Sequence, residues 1–306
     1  MDLVKTDIRI LNISLLTDFF LFLDVSEKTM ATYRRALKQL FIFFHKNNIS
    51  TPTYDSILLF KKELESRKCK SATIALYLAA ARRFFSWCEQ KNIFPNIAVG
   101  VKAPRQERGH KRDFLGAKQL KLMLSTIERD SLKGKRNYAI MTLMCVGGLR
   151  TIEVIRANVE DMRRLGDFTV LYVQGKGRKD RTEFVKLPEP VFDAINDYLK
   201  ERCSVNEKDP LFISTSNRNA NSRLTTRTIS GIAKQAMRKA GFDSPRLSAH
   251  SLRHSAVTLS LLAGADLADV QSFARHSSIT TTQIYSHAVD RINSSCENMI
   301  CDAIFS

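Results

Sequence analysis

The second half of the chain carries side chains of the types that phosphoryl chemistry needs. Arg150 follows Gly147-Gly148-Leu149, a glycine pair suited to a tight turn before a helix. His250 and Arg253 stand three apart, on one helix face or at its entry, with His254 next. Lys176 lies between Gly175 and Gly177, at a turn where nothing packs it and it can reach outward. His276 and Tyr285 flank Ser277-Ser278-Ile279-Thr280-Thr281-Thr282-Gln283-Ile284, a polar, β-branched linker able to fold back and set the phenol opposite the cations. A phosphodiester under attack gathers negative charge on its nonbridging oxygens, which arginine and imidazole donors stabilise. The attack also needs a nucleophile held in line and a proton donor for the departing oxygen. These residues supply a candidate for each task.

Metal chemistry fits less well. His250 and His254 have the i, i+4 spacing of a ligand pair, but a zinc-protease helix has Glu where Ser251 stands, and Arg253 between the ligands would repel a divalent cation. Six cysteines (Cys69, Cys88, Cys145, Cys203, Cys296, Cys301) are scattered without a Cys-x-x-Cys pair. Reduced thiols in a cytoplasm are the simpler expectation than a disulfide framework or a cysteine zinc site. No glycine-rich nucleotide loop ending in Lys-Ser/Thr appears, and no carboxylate cluster suited to Mg²⁺ stands out, so neither metal nor cofactor is expected.

The elements that must hold these groups are mostly helical. Apolar residues recur at helical spacing over residues 30–44 (Met30, Tyr33, Leu37, Leu40, Phe41, Phe44), with Ser26 as N-cap and Arg34, Arg35 and Lys38 on the opposite face. A second long helix is expected over 71–90; Lys70 precedes it, and Arg82 and Arg83 lie off its buried stripe. Shorter helices are expected at 11–23 and 54–66. The Phe19-Phe20-Phe22 and Phe41-Phe43-Phe44 groups read as core. Residues 102–113 then lose apolar periodicity and carry Lys102, Arg105, Arg108, Lys111 and Arg112, the signature of a basic interdomain linker that can lie along phosphates. The expected domains are therefore 1–101, helical, and 114–306, mixed. In the second, helices are expected at 117–129, 135–145, 151–157, 189–202, 226–240, 251–263 and 267–273. A hairpin runs out over 168–174, turns at 175–180 with Arg178 and Lys179 beside Lys176, and returns over 181–187.

The chain has 306 residues, 48 Lys+Arg against 31 Asp+Glu, and a formal charge of +17, which favours a polyanionic partner, nucleic acid or an anionic membrane surface. Its 44% hydrophobic content excludes global disorder. The longest mainly apolar stretch, 138–149, is broken by Thr142, Gly147 and Gly148, short of the roughly 20 residues a membrane span needs. The N-terminus lacks the basic and apolar regions of a secretory signal.

In combination the motifs resemble the tyrosine recombinase (phage-integrase-like) family. Gly148-Leu149-Arg150-Thr151-Ile152-Glu153 resembles its first arginine motif, and Gly175-Lys176-Gly177-Arg178-Lys179-Asp180-Arg181 its hairpin lysine. His250-Ser251-Leu252-Arg253-His254-Ser255 resembles its second-arginine box, and the segment from His276 through Tyr285-Ser286-His287 its nucleophile box. Each signal alone is modest; four in the right order are specific. The N-terminal helices resemble the core-binding, SAM-like domain of the simple two-domain members, Xer-like or from mobile elements. Two departures stand out. The family pattern has Leu-Gly before the third-box histidine, where Ala274-Arg275 stand here, and Thr-Gly at the start of the first box, where Gly147-Gly148 stand. Arg275 adds a charge beside the expected site.

The resemblance implies a fold that is mainly α with a small β-sheet, and a site-specific DNA recombinase working through a 3′-phosphotyrosyl intermediate and a Holliday junction. Tyr285 would be the nucleophile, and Arg150, Arg253, His250 and His276 the phosphate-binding donors. Lys176 would be the general acid, with Glu153 and His254 in support. The basic residues named above become candidate DNA contacts, on duplex DNA with paired inverted half-sites. Four protomers would synapse two duplexes, with accessory proteins in some systems, in the bacterial cytoplasm. Ile292, Cys296, Met299, Ile300, Ala303 and Ile304 form an apolar stripe for docking onto a neighbouring protomer, or for packing in cis. The rivals are a type IB topoisomerase, which relaxes DNA without exchanging partners, a catalytically silent DNA-binding accessory protein, and a metallohydrolase, whose activity chelators would abolish.

Overall fold

Helical periodicity in the first hundred residues becomes four helices around an aromatic core. They are α1 (Ile13–Phe22), α2 (Glu27–Lys46), α3 (Tyr54–Ser66) and α4 (Ser71–Gln90) in a computed structural model that describes residues 13–105, 113–175 and 180–305. Ser26 caps α2 by accepting from the Thr29 amide at 3.3 Å. The stripe of α2 buries Leu37, Leu40, Phe43 and Phe44 against Ile74, Leu78, Phe84 and Phe85 of α4. Phe84 meets Phe19 and Phe41 edge-on, with ring centroids 5.2 and 5.7 Å apart. Each buried ring of this kind stabilises by roughly 1.5–3 kcal/mol. Phe22 departs from the core expectation: it remains 46% exposed on the outer side of α1, beside Trp87.

Contacts divide the chain into two units, Met1–Arg108 and Gly109–Ser306. The second is built from α5 (Ala117–Ser125), α6 (Leu132–Gly147), α7 (Thr151–Arg156), a three-stranded antiparallel sheet, and then α8 (Glu189–Lys200), α9 (Thr226–Lys239), α10 (Ala249–Leu262), α11 (Leu267–Ala274), α12 (Ile279–Asn293) and α13 (Cys296–Phe305). The strands β1 (Met162–Leu165), β2 (Phe168–Val173) and β3 (Glu183–Lys186) lie in sequence order, with Leu165 opposite Phe168 and Val170 opposite Lys186. Sequence reading found the β2–β3 hairpin but not β1. Met162-Arg163-Arg164-Leu165 has no strand-like alternation; it pairs because Gly166, at φ 58°, closes a two-residue turn onto β2.

Helix α10 is central. Ser251 to Thr258 are all buried on it, and the Ser255 hydroxyl accepts from the Leu115 amide at 2.7 Å, tying the start of this unit to the helix. Among the described residues no helix is long and apolar enough to cross a membrane.

Candidate active site

The expected linker between His276 and Tyr285 is a correction. From Ile279 it is the first two turns of α12, and Tyr285 is fixed on that helix rather than carried by a flexible strap. The reason is tertiary. Thr282, fully buried, holds the Nδ1 of His276 through its hydroxyl at 2.9 Å, and Tyr285 packs with Val257 of α10 and Val270 and Ala274 of α11. This packing outweighs the modest helix propensity of a threonine run.

Two backbone features bring the arginines together. Helix α6 stops at Gly148, whose φ of 58° suits glycine, and a side chain there would also meet the Phe273 ring at 3.1 Å. The next turn starts α7 with Arg150 at its N-cap; Glu153 reaches back, its Oε2 accepting from the Arg150 amide at 2.8 Å and its Oε1 from Arg150 Nη1 at 2.7 Å. From α10, Arg253 (1% exposed) donates through Nη1 to the Gly148 carbonyl at 2.7 Å and through Nη2 to the Ala274 carbonyl. Arg253 thereby joins the end of α6 to the end of α11.

A third guanidinium sits beside them. Arg275, C-cap of α11, adopts the left-handed conformation (φ 53°, ψ 48°), which costs a non-glycine residue about 1–2 kcal/mol. Its side chain, 4% exposed, donates through Nη2 to Glu153 Oε2 at 3.0 Å and to the Gly148 carbonyl at 3.3 Å, while its own carbonyl accepts from Arg150 Nη2 at 3.3 Å. Burial alone would push the Glu153 carboxyl up; Arg275 and then Arg150 overcome this and hold it ionised below the usual carboxylate range.

The Tyr285 ring is buried between two imidazoles. His254 meets it edge-on at 4.7 Å between centroids, and His276 lies nearly parallel at 6.0 Å. Burial raises the phenol above its ordinary value, while Arg253 and then Arg150 are near enough to favour the phenolate. His276 is driven down to about 4 by burial, Arg253, Arg150, Arg275 and His250, in that order, so its ring is neutral at pH 7. His250 is exposed at the first turn of α10. His254 is buried, with Nδ1 3.2 Å from the Thr258 hydroxyl and its ring stacked on Phe114.

Arg150, Glu153, His250, Arg253, His254, His276 and Tyr285 thus converge. Lys176, Arg178 and Lys179 lie outside the described residues. Both sides of their turn are anchored, Gly175 by its carbonyl on Arg156 Nη1 at 3.0 Å and Arg181 by Nη1 on Asp161 Oδ1 at 2.6 Å. Sequence reasoning gave Thr282 no role and read Arg275 as an added charge that could alter how the nucleophile segment packs; a charged residue where the family pattern has glycine was the available signal. Of the candidate DNA contacts, Arg34, Arg35, Lys38, Lys70, Arg83, Lys102 and Arg105 are exposed. Arg34 lies over the Phe20 ring at 5.0 Å, and Arg82 is half-buried with Nη2 3.4 Å from the Val101 carbonyl. Arg108, Lys111 and Arg112 lie outside the described residues.

Comparison with known proteins gives a consistent picture. The Phage integrase family model matches residues 113–291, and the Phage integrase N-terminal SAM-like domain matches 13–92. Tyrosine recombinase XerC of Caldanaerobacter subterraneus is 33% identical over 218 residues, 70% of this chain and 58% of that relative. Tyrosine recombinase XerD of Oceanobacillus iheyensis is 30% identical over 285 residues, 88% of this chain and 92% of that relative. The crystal structure of XerH site-specific recombinase bound to palindromic difH substrate, a post-cleavage complex, shares the fold at a TM-score of 0.69 and 22% identity, covering 86% of this chain and 77% of that one.

Proposed function

This chain belongs to the phage integrase family, and on that premise we propose how its residues divide the work of a tyrosine recombinase. The activity is site-specific DNA recombination, a DNA strand transfer. The Tyr285 phenol gives up its proton to solvent and its oxygen attacks the scissile phosphorus, forming a 3′-phosphotyrosyl bond as the bond to the 5′-oxygen breaks. Lys176 gives that oxygen its proton. Arg150 and Arg253 neutralise the nonbridging oxygens, and His250 and neutral His276 add hydrogen bonds. Nδ1 of His276 is paired with the Thr282 hydroxyl at 2.9 Å, and in the tautomer whose proton is on Nε2 that nitrogen is the donor to the phosphate. The released 5′-hydroxyl of a partner strand reverses the step. The bond energy is kept in the phosphotyrosine, so the scheme uses neither nucleotide nor metal.

The observation that carries this reading is the gathering of Arg150 from the N-cap of α7, Arg253 from α10 and Tyr285 from α12, with both guanidinium groups near enough to favour the phenolate. Duplex DNA with paired inverted half-sites is the partner. The exposed basic residues of α2 and α4 and the basic linker 102–113 join the catalytic unit in contacting it, through phosphates above all. The work takes place in the cytoplasm, on synapsed duplexes held by four protomers with accessory proteins in some systems. Incubation with a library of nicked duplex fragments is expected to trap the protein covalently on a site that then yields exchanged partners. Relaxation of supercoils without exchange would favour a topoisomerase, and DNA binding without a trapped protein would favour a silent accessory role.

Two further results are expected. Lys176→Ala should lose cleavage of ordinary DNA by about 10²–10⁴-fold, the usual worth of a positioned acid, and recover it on a 5′-bridging phosphorothiolate, whose sulfur leaves without a proton. Absence of rescue would make Lys176 a binding residue. Helix α13 exposes Met299, Ile300, Ile304 and Phe305, an apolar surface suited to a neighbouring protomer; the Ile292 side chain is outside the description. Deleting residues 295–306 should leave the folded chain monomeric and DNA-binding on one half-site but weaken cooperative binding to paired half-sites, as a band-shift titration would register.

A further inference from the structure

We infer that Arg275 is a positioning residue for this reaction, holding the guanidinium groups of Arg150 and Arg253 where the scissile phosphate is received; the inference rests on the recombinase reading above. Three contacts interlock it with the pair. Its backbone carbonyl takes Arg150 Nη2, its Nη2 shares the Glu153 carboxylate with Arg150, and the same Nη2 shares the Gly148 carbonyl with Arg253. No other described side chain touches both arginines' acceptors in this way.

The backbone gives a second, independent argument. The φ of 53° is one that glycine adopts freely, and the family pattern has glycine there. Conformation therefore does not ask for arginine; the side chain is kept despite strain, and retained strain of this kind clusters at functional sites. The guanidinium is nearly completely buried, and its Nε has no hydrogen-bond partner among the described residues. A buried charged group with an unfilled donor is a poor stabilising device by itself.

Charge gives the third argument. Glu153, with no exposed surface, is the carboxylate against which Arg150 and Arg275 are set, and Arg253 stands beside them. Without Arg275, Glu153 would be free to neutralise Arg150 alone. With it, the carboxylate is shared, and Arg150 keeps positive charge for a phosphate that becomes doubly anionic as the phenol attacks.

The test is single-turnover cleavage of a nicked suicide duplex by the full chain and by Arg275→Gly and Arg275→Lys, on the ordinary phosphate and on a methylphosphonate at the scissile position, with DNA affinity measured alongside. Arg275→Gly relieves the strain, so folding and DNA affinity should hold while cleavage slows about 10²-fold, the cost of misplacing reacting groups. On the methylphosphonate, which has one less charge to balance, most of that deficit should vanish. Lysine should recover only part, since an ammonium cannot span Glu153 and the Gly148 carbonyl as a fork does. Wild-type cleavage by the glycine variant, an equal deficit on both substrates, or full recovery with lysine would overturn the inference. If the wild-type chain itself traps no DNA, the recombinase reading fails instead.

Discussion

Tyr285→Phe is expected to abolish the covalent protein–DNA complex completely while leaving DNA affinity nearly unchanged. The substitution removes one oxygen and keeps the ring. That ring packs with Val257, Val270 and Ala274 and against His254 and His276, contacts that phenylalanine reproduces. The loss should therefore be chemical rather than structural. Of the groups beside it, His276 is held on Thr282, and the guanidinium groups are donors without a nucleophilic lone pair. Denaturing electrophoresis after incubation with a nicked duplex reads the outcome, and a trapped band from the phenylalanine variant would refute the role of Tyr285.

Arg253→Ala should combine a catalytic loss with a structural one. Removing a preorganised donor to a developing oxyanion slows cleavage by about 10²–10³-fold. The bridge that now joins α6 to α11 is lost as well: the Gly148 carbonyl keeps Arg275 Nη2, but the Ala274 carbonyl loses Arg253, and an unsatisfied buried group costs about 1–3 kcal/mol. A lower melting temperature should accompany the rate loss, and Arg253→Lys, which cannot reach both carbonyls at once, should restore little of either. Burial already opposes the charge on Arg253, with Arg150 and Arg275 adding to that opposition and Glu153 and Tyr285 relieving it. The site thus spends folding stability on a cation it needs. Normal turnover by the alanine variant would remove Arg253 from the mechanism.

The sequence made some of this legible and hid the rest for identifiable reasons. Helices with a continuous apolar stripe were readable closely, as over Tyr54–Ser66 and Ser71–Gln90, because burial follows periodicity there. The hairpin was readable from its turn chemistry. Strand β1 was not, since only its pairing to β2 makes Met162–Leu165 extended. Helix α12 was missed for a similar reason: its threonines and serines read as linker, and what makes them helical is Thr282 on His276 and Tyr285 on α10 and α11, contacts made at a distance in sequence or across a turn. The catalytic residue types were legible one by one and their order matched a family pattern. Their meeting point was not, because it depends on the shared acceptors Gly148, Ala274 and Glu153, and on the left-handed turn at Arg275. Lys176 lies outside the described residues.

The most direct test of the central claim is to map the bond itself. The full chain is trapped on a nicked duplex, digested with protease and nuclease, and the adduct located by tandem mass spectrometry. The predicted result is a 3′-phosphate remnant on the Tyr285 phenol, with a free 5′-hydroxyl on the other product. A remnant on any other side chain, or a link through a 5′-phosphate, would contradict it.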